Sequence, residues 1–229
     1  MKIITIGDLH GSPVWKNIRT ENWDRMVFIG DYVDSSDYDA KEIKQNLVDI
    51  IELKKIYTEK VILLWGNHDL AYFYGGHERH HASGFRKKLL PGYFSLFTEN
   101  RRLFQAAFGV ENYLWTHAGV VQKWFNDYII DQIRPSDGDL ACTLNRLFEA
   151  YYLPLFHVGK LRGGLNEDGG IFWSHKYETE DDPLMGYHQI VGHTKTRSGV
   201  LVSNHYGQDT SVTWVDCLDS SDEFYKVEI

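Results

Sequence analysis

The chain has 229 residues, 43% of them hydrophobic and 24% charged, with a formal net charge of -8. This is ordinary globular composition, large enough for a sizeable core and, as a prior, for one domain. The acidic balance argues against general nucleic-acid binding and against an anionic membrane surface, since both reward basic faces. An anionic substrate stays compatible, because a bound metal can outweigh the local field. The two cysteines, Cys142 and Cys217, follow no metal-ligand spacing and make no disulfide framework, so a cytoplasmic protein is expected. The opening apolar run is too short for a secretory signal, and no stretch approaches the ~20 apolar residues of a membrane helix.

Residues 2–6 form a short apolar run ended by Gly7-Asp8, and residues 26–29 a second ended by Gly30-Asp31. Residues 61–65 form a third, ended by Gly66-Asn67, and residues 112–116 a fourth, ended by His117. Such runs predict buried strands. Between the second and third, residues 40–57 carry Ile43, Leu47, Ile50 and Ile51 at helical spacing, with Lys and Glu opposite. Strands alternating with helices predict an α/β fold with a largely parallel sheet, whose ligands bind at the carboxyl ends of the strands.

Residues 70–109 and 120–157 read as helical, the second segment broken at Pro135-Ser136-Asp137-Gly138. Tyr93, Phe94, Phe97, Phe104 and Phe108 are read as helical core packing. Residues 158–182 read as loop, with the acidic run 178–182 solvated. Four further strands are expected at 189–192, 200–203, 211–216 and 224–229. With no repeat and no linker, residues 1–229 are read as one domain, with helical segments at about 70–109 and 120–157.

The strand ends spell Gly7-Asp8-Leu9-His10-Gly11, Gly30-Asp31-Tyr32-Val33-Asp34 and Gly66-Asn67-His68-Asp69, followed by Thr116-His117-Ala118-Gly119 and Gly192-His193-Thr194. Asp, Asn and His without Cys make an oxygen and nitrogen donor set suited to Mn, Fe or Zn. In an extended Asp8-x-His10 both side chains would fall on one side of the backbone and could grip one ion. His77, Arg79, His80 and His81 crowd a short stretch that reads as a solvated face rather than a second metal site. His175 and His205 are read as structural.

These five motifs, in this order and spacing, resemble the calcineurin-like metallophosphoesterases, in particular the branch with serine/threonine phosphoprotein phosphatases, bacteriophage phosphatases and symmetrical diadenosine tetraphosphatases. The resemblance runs from Asp8 to about Asp216. It implies a two-sheet β-sandwich flanked by helices, four layers in all. It implies two divalent metal ions per chain, with manganese expected first and iron, zinc or nickel as other fits. Asp8 and His10 would hold the first ion, Asp31 would bridge, and Asn67, His117 and His193 would hold the second. His68 would be the general acid, oriented by Asp34, and a metal-bound hydroxide would attack phosphorus.

Two positions depart from that branch, and a third departs only from the broader superfamily. Ser35 stands where many members have a phosphate-gripping Arg, and Asp69 stands where Glu is favoured. Gly192-His193-Thr194 lacks the second His with which the broader superfamily often ends, as in the phosphatase branch. Arg162 resembles a second phosphate-gripping Arg and is expected to bind substrate, with Arg79 and Arg86 next in line. The expected activity is a phosphomonoesterase acting on a phosphorylated small molecule or a phosphoprotein. The alternatives are a diadenosine tetraphosphatase-like nucleotide hydrolase and a metal-binding module without turnover.

Overall fold

A computed structural model describes every residue except 78, 79, 81, 197–199 and 204. The chain divides into two compact units, Met1–Gln105 with Cys217–Ile229, and Ala106–Asp216.

The first unit is built on strands β1 (Lys2–Ile6), β2 (Arg25–Phe28), β3 (Val61–Leu64) and β4 (Phe104–Gln105), with β10 (Tyr225–Glu228) beside β1. β1 to β4 run parallel, in register Ile4↔Met26, Met26↔Val61 and Leu63↔Phe104. All four residues of β3 are buried, as the continuous apolar run requires of a strand covered on both faces. β10 pairs antiparallel at the edge and alternates between half-buried and exposed residues. Helix α1 (Ala40–Ile56) links β2 to β3. It starts in a capping box: Asp39 accepts from the backbone N–H of Lys41 and Glu42, while Glu42 accepts from that of Asp39. Its stripe of Ile43, Leu47, Ile50 and Ile51 is buried as the spacing predicts. Helix α2 (Asn67–Phe73) begins two residues beyond β3, and α3 (Leu90–Asn100) buries Tyr93 and Phe97.

The second unit holds β5 (Ala107–Val110), β6 (Tyr113–Thr116), β7 (His188–Val191), β8 (Leu201–Ser203) and β9 (Ser211–Trp214), ordered β5-β6-β7-β9-β8. β6, β7 and β9 are parallel, and the two edge strands are antiparallel. Helices α4 (Gln122–Tyr128), α5 (Leu140–Glu149) and α6 (Lys176–Asp181) complete it. The α/β class with two mixed sheets is therefore as expected. Among the described residues no helix is long and apolar enough to cross a membrane, and neither cysteine is in a disulfide.

Three expectations fail. The helical reading of 70–109 ends too late, since residues 104–105 and 107–110 are strands carrying Phe104 and Phe108. The segment Phe104-Gln-Ala-Ala-Phe-Gly-Val has no helical stripe, and pairing with β3 and β6 supplies its hydrogen bonds. Phe94 is 44% exposed and so lies outside the core. The acidic run is not a loop but the body of α6, and Glu178 is buried. Its carboxylate accepts from the backbone N–H of Gly169 and His175, so it anchors the glycine-rich segment before the helix.

Candidate active site

In the first unit the predicted residues emerge at the carboxyl ends of three parallel strands. Asp8 follows β1, Asp31 follows β2, and Asn67 opens α2 after β3. All three are buried. Two glycines make the convergence possible. A Cβ on Gly66 would lie 2.2 Å from the Asp31 backbone N and from its Oδ1, and a Cβ on Gly30 would lie 2.5 Å from the Gly66 N. Neither position has room for any side chain.

His10 is held by a hydrogen bond from Nδ1 to the Val33 carbonyl at 2.9 Å. A carbonyl only accepts, so Nδ1 carries the hydrogen and a neutral ring presents the Nε2 lone pair. That atom sits 3.8 Å from Asp31 Oδ2. This is the usual way a protein presents a histidine to a metal. The route differs from the one the sequence suggested. His10 has φ of +44°, so the Asp8-x-His10 stretch is not extended. Asp31 (+52°), Asp34 (+62°) and His193 (+62°) share that left-handed conformation, so among the described residues four of the six non-glycine positions with positive φ are predicted site residues. Backbone conformations of this kind cost energy and concentrate at functional sites.

The donor chemistry fits a cation. Asp8, Asp31 and Asp69 are all buried, and all three carboxylates act on the Tyr32 phenol, whose pKa burial raises first and their charges raise further. Buried carboxylates are costly as anions without compensation, and burial, with the Asp31 charge beside it, pushes the Asp69 carboxyl well above the ordinary carboxylate range. One ring nitrogen each from His10 and His68 and one oxygen of Asp31 lie within 4.8 Å of one another, close enough to share an ion.

Asp69 is a residue whose role sequence reasoning missed. It accepts hydrogen bonds from the backbone N–H of Asp31 (2.8 Å), Tyr32 (2.9 Å) and Gly66 (2.9 Å). It therefore ties the turns that follow β2 and β3 together. The signal was available: Asp69 is the third residue of α2 after Gly66, where an acidic side chain reaches back to the helix start.

His68 faces differently from its neighbour. Its backbone N–H donates to Asp31 Oδ1 at 2.9 Å, and its ring Nδ1 donates to Asp34 Oδ2 at 3.1 Å. Burial disfavours the imidazolium, but the Asp31 charge and the bonded Asp34 outweigh it and raise the His68 pKa to about 9. His68 is thus equipped to carry a proton at neutral pH.

In the second unit, His117 follows β6 and is fully buried. Its carbonyl accepts from Gly192 N–H at 2.8 Å, which brings the His193 turn alongside, and the two rings lie 5.1 Å apart. Trp173 packs edge-on against His193 at 5.6 Å. Arg162 donates through one terminal nitrogen to the His193 carbonyl at 3.2 Å and to Thr194 Oγ1 at 2.5 Å. The predicted substrate residue therefore also braces the His193 turn. His175 caps α6 by accepting from Tyr177 N–H, in line with a structural role. His80 is buried, with its ring 4.4 Å from that of Tyr74, so at this position the solvated-face reading is corrected. Arg79 and His81 lie outside the described residues.

The sequence profile of the calcineurin-like phosphoesterase family matches residues 1–214. The chain belongs to the calcineurin-like phosphoesterase family. It is thereby a phosphoesterase of a metal-dependent family, and it carries candidate metal-binding groups. Among curated protein sequences none is similar enough to count as a match. Similar solved structures include a point mutant of a cold-active protein tyrosine phosphatase, at 19% identity and TM-score 0.62, covering 99% of this chain and 75% of that one. A second structure of a cold-active protein tyrosine phosphatase gives 20% identity and TM-score 0.58, covering 99% and 73%. A protein serine/threonine phosphatase from Saccharomyces cerevisiae gives 17% and 0.50, covering 96% and 69%. At these identities the likeness is one of fold.

Proposed function

We propose that this calcineurin-like phosphoesterase is a dinuclear-metal phosphomonoesterase of the protein-phosphatase kind. The observation that carries the reading is the His68–Asp34 pair, hydrogen-bonded at 3.1 Å beside the His10 and Asp31 donors. A pure metal-binding module has no use for an oriented, protonated histidine there. On the family's pattern the ligands are Asp8, His10, Asp31, Asn67, His117 and His193. Two divalent ions so held would lower the pKa of bound water and offset the charge of the reacting phosphate.

The chain's own residues supply the rest. Asp34 accepts the His68 Nδ1 hydrogen, which leaves the Nε2 proton to be given to the departing oxygen. Asp69 and Gly66 keep Asp31 and Asn67 in place, and Arg162 is the proposed partner for an outer phosphate oxygen. Substrates are phosphorylated side chains or phosphorylated small molecules, a choice supported by neighbours named as protein phosphatases. The test is a panel run with added manganese: p-nitrophenyl phosphate, a phosphopeptide and diadenosine tetraphosphate. Turnover of the first two is expected to exceed that of the third. Turnover of diadenosine tetraphosphate alone would move the assignment to a nucleotide hydrolase, and no turnover of any would reject it.

A further inference from the structure

The His68–Asp34 pair does not end at Asp34. The other carboxylate oxygen, Oδ1, accepts from the Tyr72 hydroxyl at 2.5 Å. That hydroxyl in turn accepts from the backbone N–H of Arg86 at 3.0 Å. Tyr72 is fully buried on α2, with its ring 4.8 Å from that of Phe85 and 4.9 Å from that of Tyr93. The chain at Gly84 passes directly over Asp34, close enough that a Cβ there would lie 3.5 Å from the Asp34 Cβ.

The direction of this chain of hydrogen bonds is determined. An amide N–H can only donate, so it occupies a lone pair of the Tyr72 oxygen and commits the hydroxyl proton to Asp34. The Asp34 carboxylate then acts as acceptor at both oxygens and takes the hydrogen of His68 Nδ1 at the second. The catalytic proton is left on His68 Nε2 by elimination. Asp34 sits at φ of +62°, which most residues avoid. A carboxylate in such a place, held by one histidine alone, could rotate about its last bond. Two donors at fixed positions prevent that.

We propose that Tyr72 is a positioning residue for the general acid, and that the segment 84–86 sets the acid's orientation through the Arg86 N–H. The proposal rests on His68 being the acid, as read above. It predicts that Tyr72→Phe, which keeps the ring and removes the hydroxyl, lowers kcat for phenyl phosphate by about tenfold. The loss with p-nitrophenyl phosphate, whose leaving group needs little protonation, should be clearly smaller, and KM should be unchanged for both. In an Asp34→Asn background the same substitution should have little further effect, because the carboxylate through which it acts is gone.

A readout without turnover comes from proton NMR of the wild-type metal-free protein. A slowly exchanging Tyr72 hydroxyl proton should be present, and its resonance should shift in Asp34→Asn. Equal losses on both substrates, or full additivity with Asp34→Asn, would overturn the proposal while leaving the phosphoesterase reading intact. Should Tyr72→Phe not fold, absence of the protected hydroxyl proton in the wild type would overturn it just as well. A wild type that hydrolyses neither substrate would instead count against the function on which the proposal rests.

Discussion

His68 and Asp69 are adjacent, and they fail in opposite ways when removed. On the proposed reading His68→Ala takes away the general acid, and it leaves the turns intact. General acid catalysis contributes roughly 10²–10⁴-fold, so turnover of a poor leaving group should fall by about that much, while metal content is unchanged. Loss of metal in that variant would show that His68 is a ligand, as its place beside His10 and Asp31 also permits. Asp69→Ala instead strips the acceptor from three buried backbone N–H groups, those of Asp31, Tyr32 and Gly66. Each orphaned donor costs about 1–3 kcal/mol, so a loss of at least about 3 kcal/mol is expected by urea unfolding, with metal affinity falling alongside. A variant with wild-type stability would mean that water replaces the carboxylate and that the turns do not depend on it.

Among the elements, α1 was legible from its helical period, and the strands other than β4 and β5 were legible mostly as short apolar runs bounded by turns. The five motif-bearing turns were legible because each ends such a strand with a small residue followed by Asp, Asn or His. The Phe104–Val110 segment was not legible, since its hydrogen-bond partners, β3 and β6, are remote in sequence. Glu178 was hidden because an acidic run usually marks a solvated face, whereas here the carboxylate satisfies two backbone N–H groups. Asp137 is a further case, in the break predicted between two helical segments. It accepts from Arg146 Nε at 3.0 Å and Arg146 Nη2 at 2.8 Å, from Thr143 Oγ1 at 2.9 Å and from Arg134 N–H at 3.1 Å, tying the turn to α5. The Arg146 bond first, with help from Thr143 and Arg134, holds its carboxyl well below the ordinary carboxylate range. The sign follows: a folded pKa below the unfolded value means that the ionised form stabilises the fold. That contribution is whole above the unfolded value of about 4 and is lost as pH falls toward the folded one. Thermal unfolding should therefore separate wild type from Asp137→Asn at pH 6, with the gap closing progressively below about pH 4. A gap that stayed constant down to pH 3 would show that hydrogen bonding rather than charge carries the effect.

At the scale of the whole molecule the formal charge of -8 and the buried carboxylates Asp8, Asp31 and Asp69 bear on the same question. An acidic protein with negative charges packed under a site meant for phosphate needs a source of positive charge. Two divalent ions bring four positive charges, against two from the proposed ligands Asp8 and Asp31. Cations that bind the folded chain and not the unfolded one must stabilise it, by about 2.7 kcal/mol for each site at a free concentration a hundred times its Kd. The melting temperature should accordingly drop on treatment with a chelator and rise again, in a concentration-dependent way, as manganese is restored. Metal analysis of the reloaded protein should give close to two equivalents. Asp31→Asn, which alters the proposed bridging ligand, should blunt the stabilisation at both sites, whereas His10→Ala should remove about half of it. Should chelation leave the melting temperature unmoved and the reloaded protein bind no metal, the buried carboxylates would have to be protonated instead, and the dinuclear reading would fall.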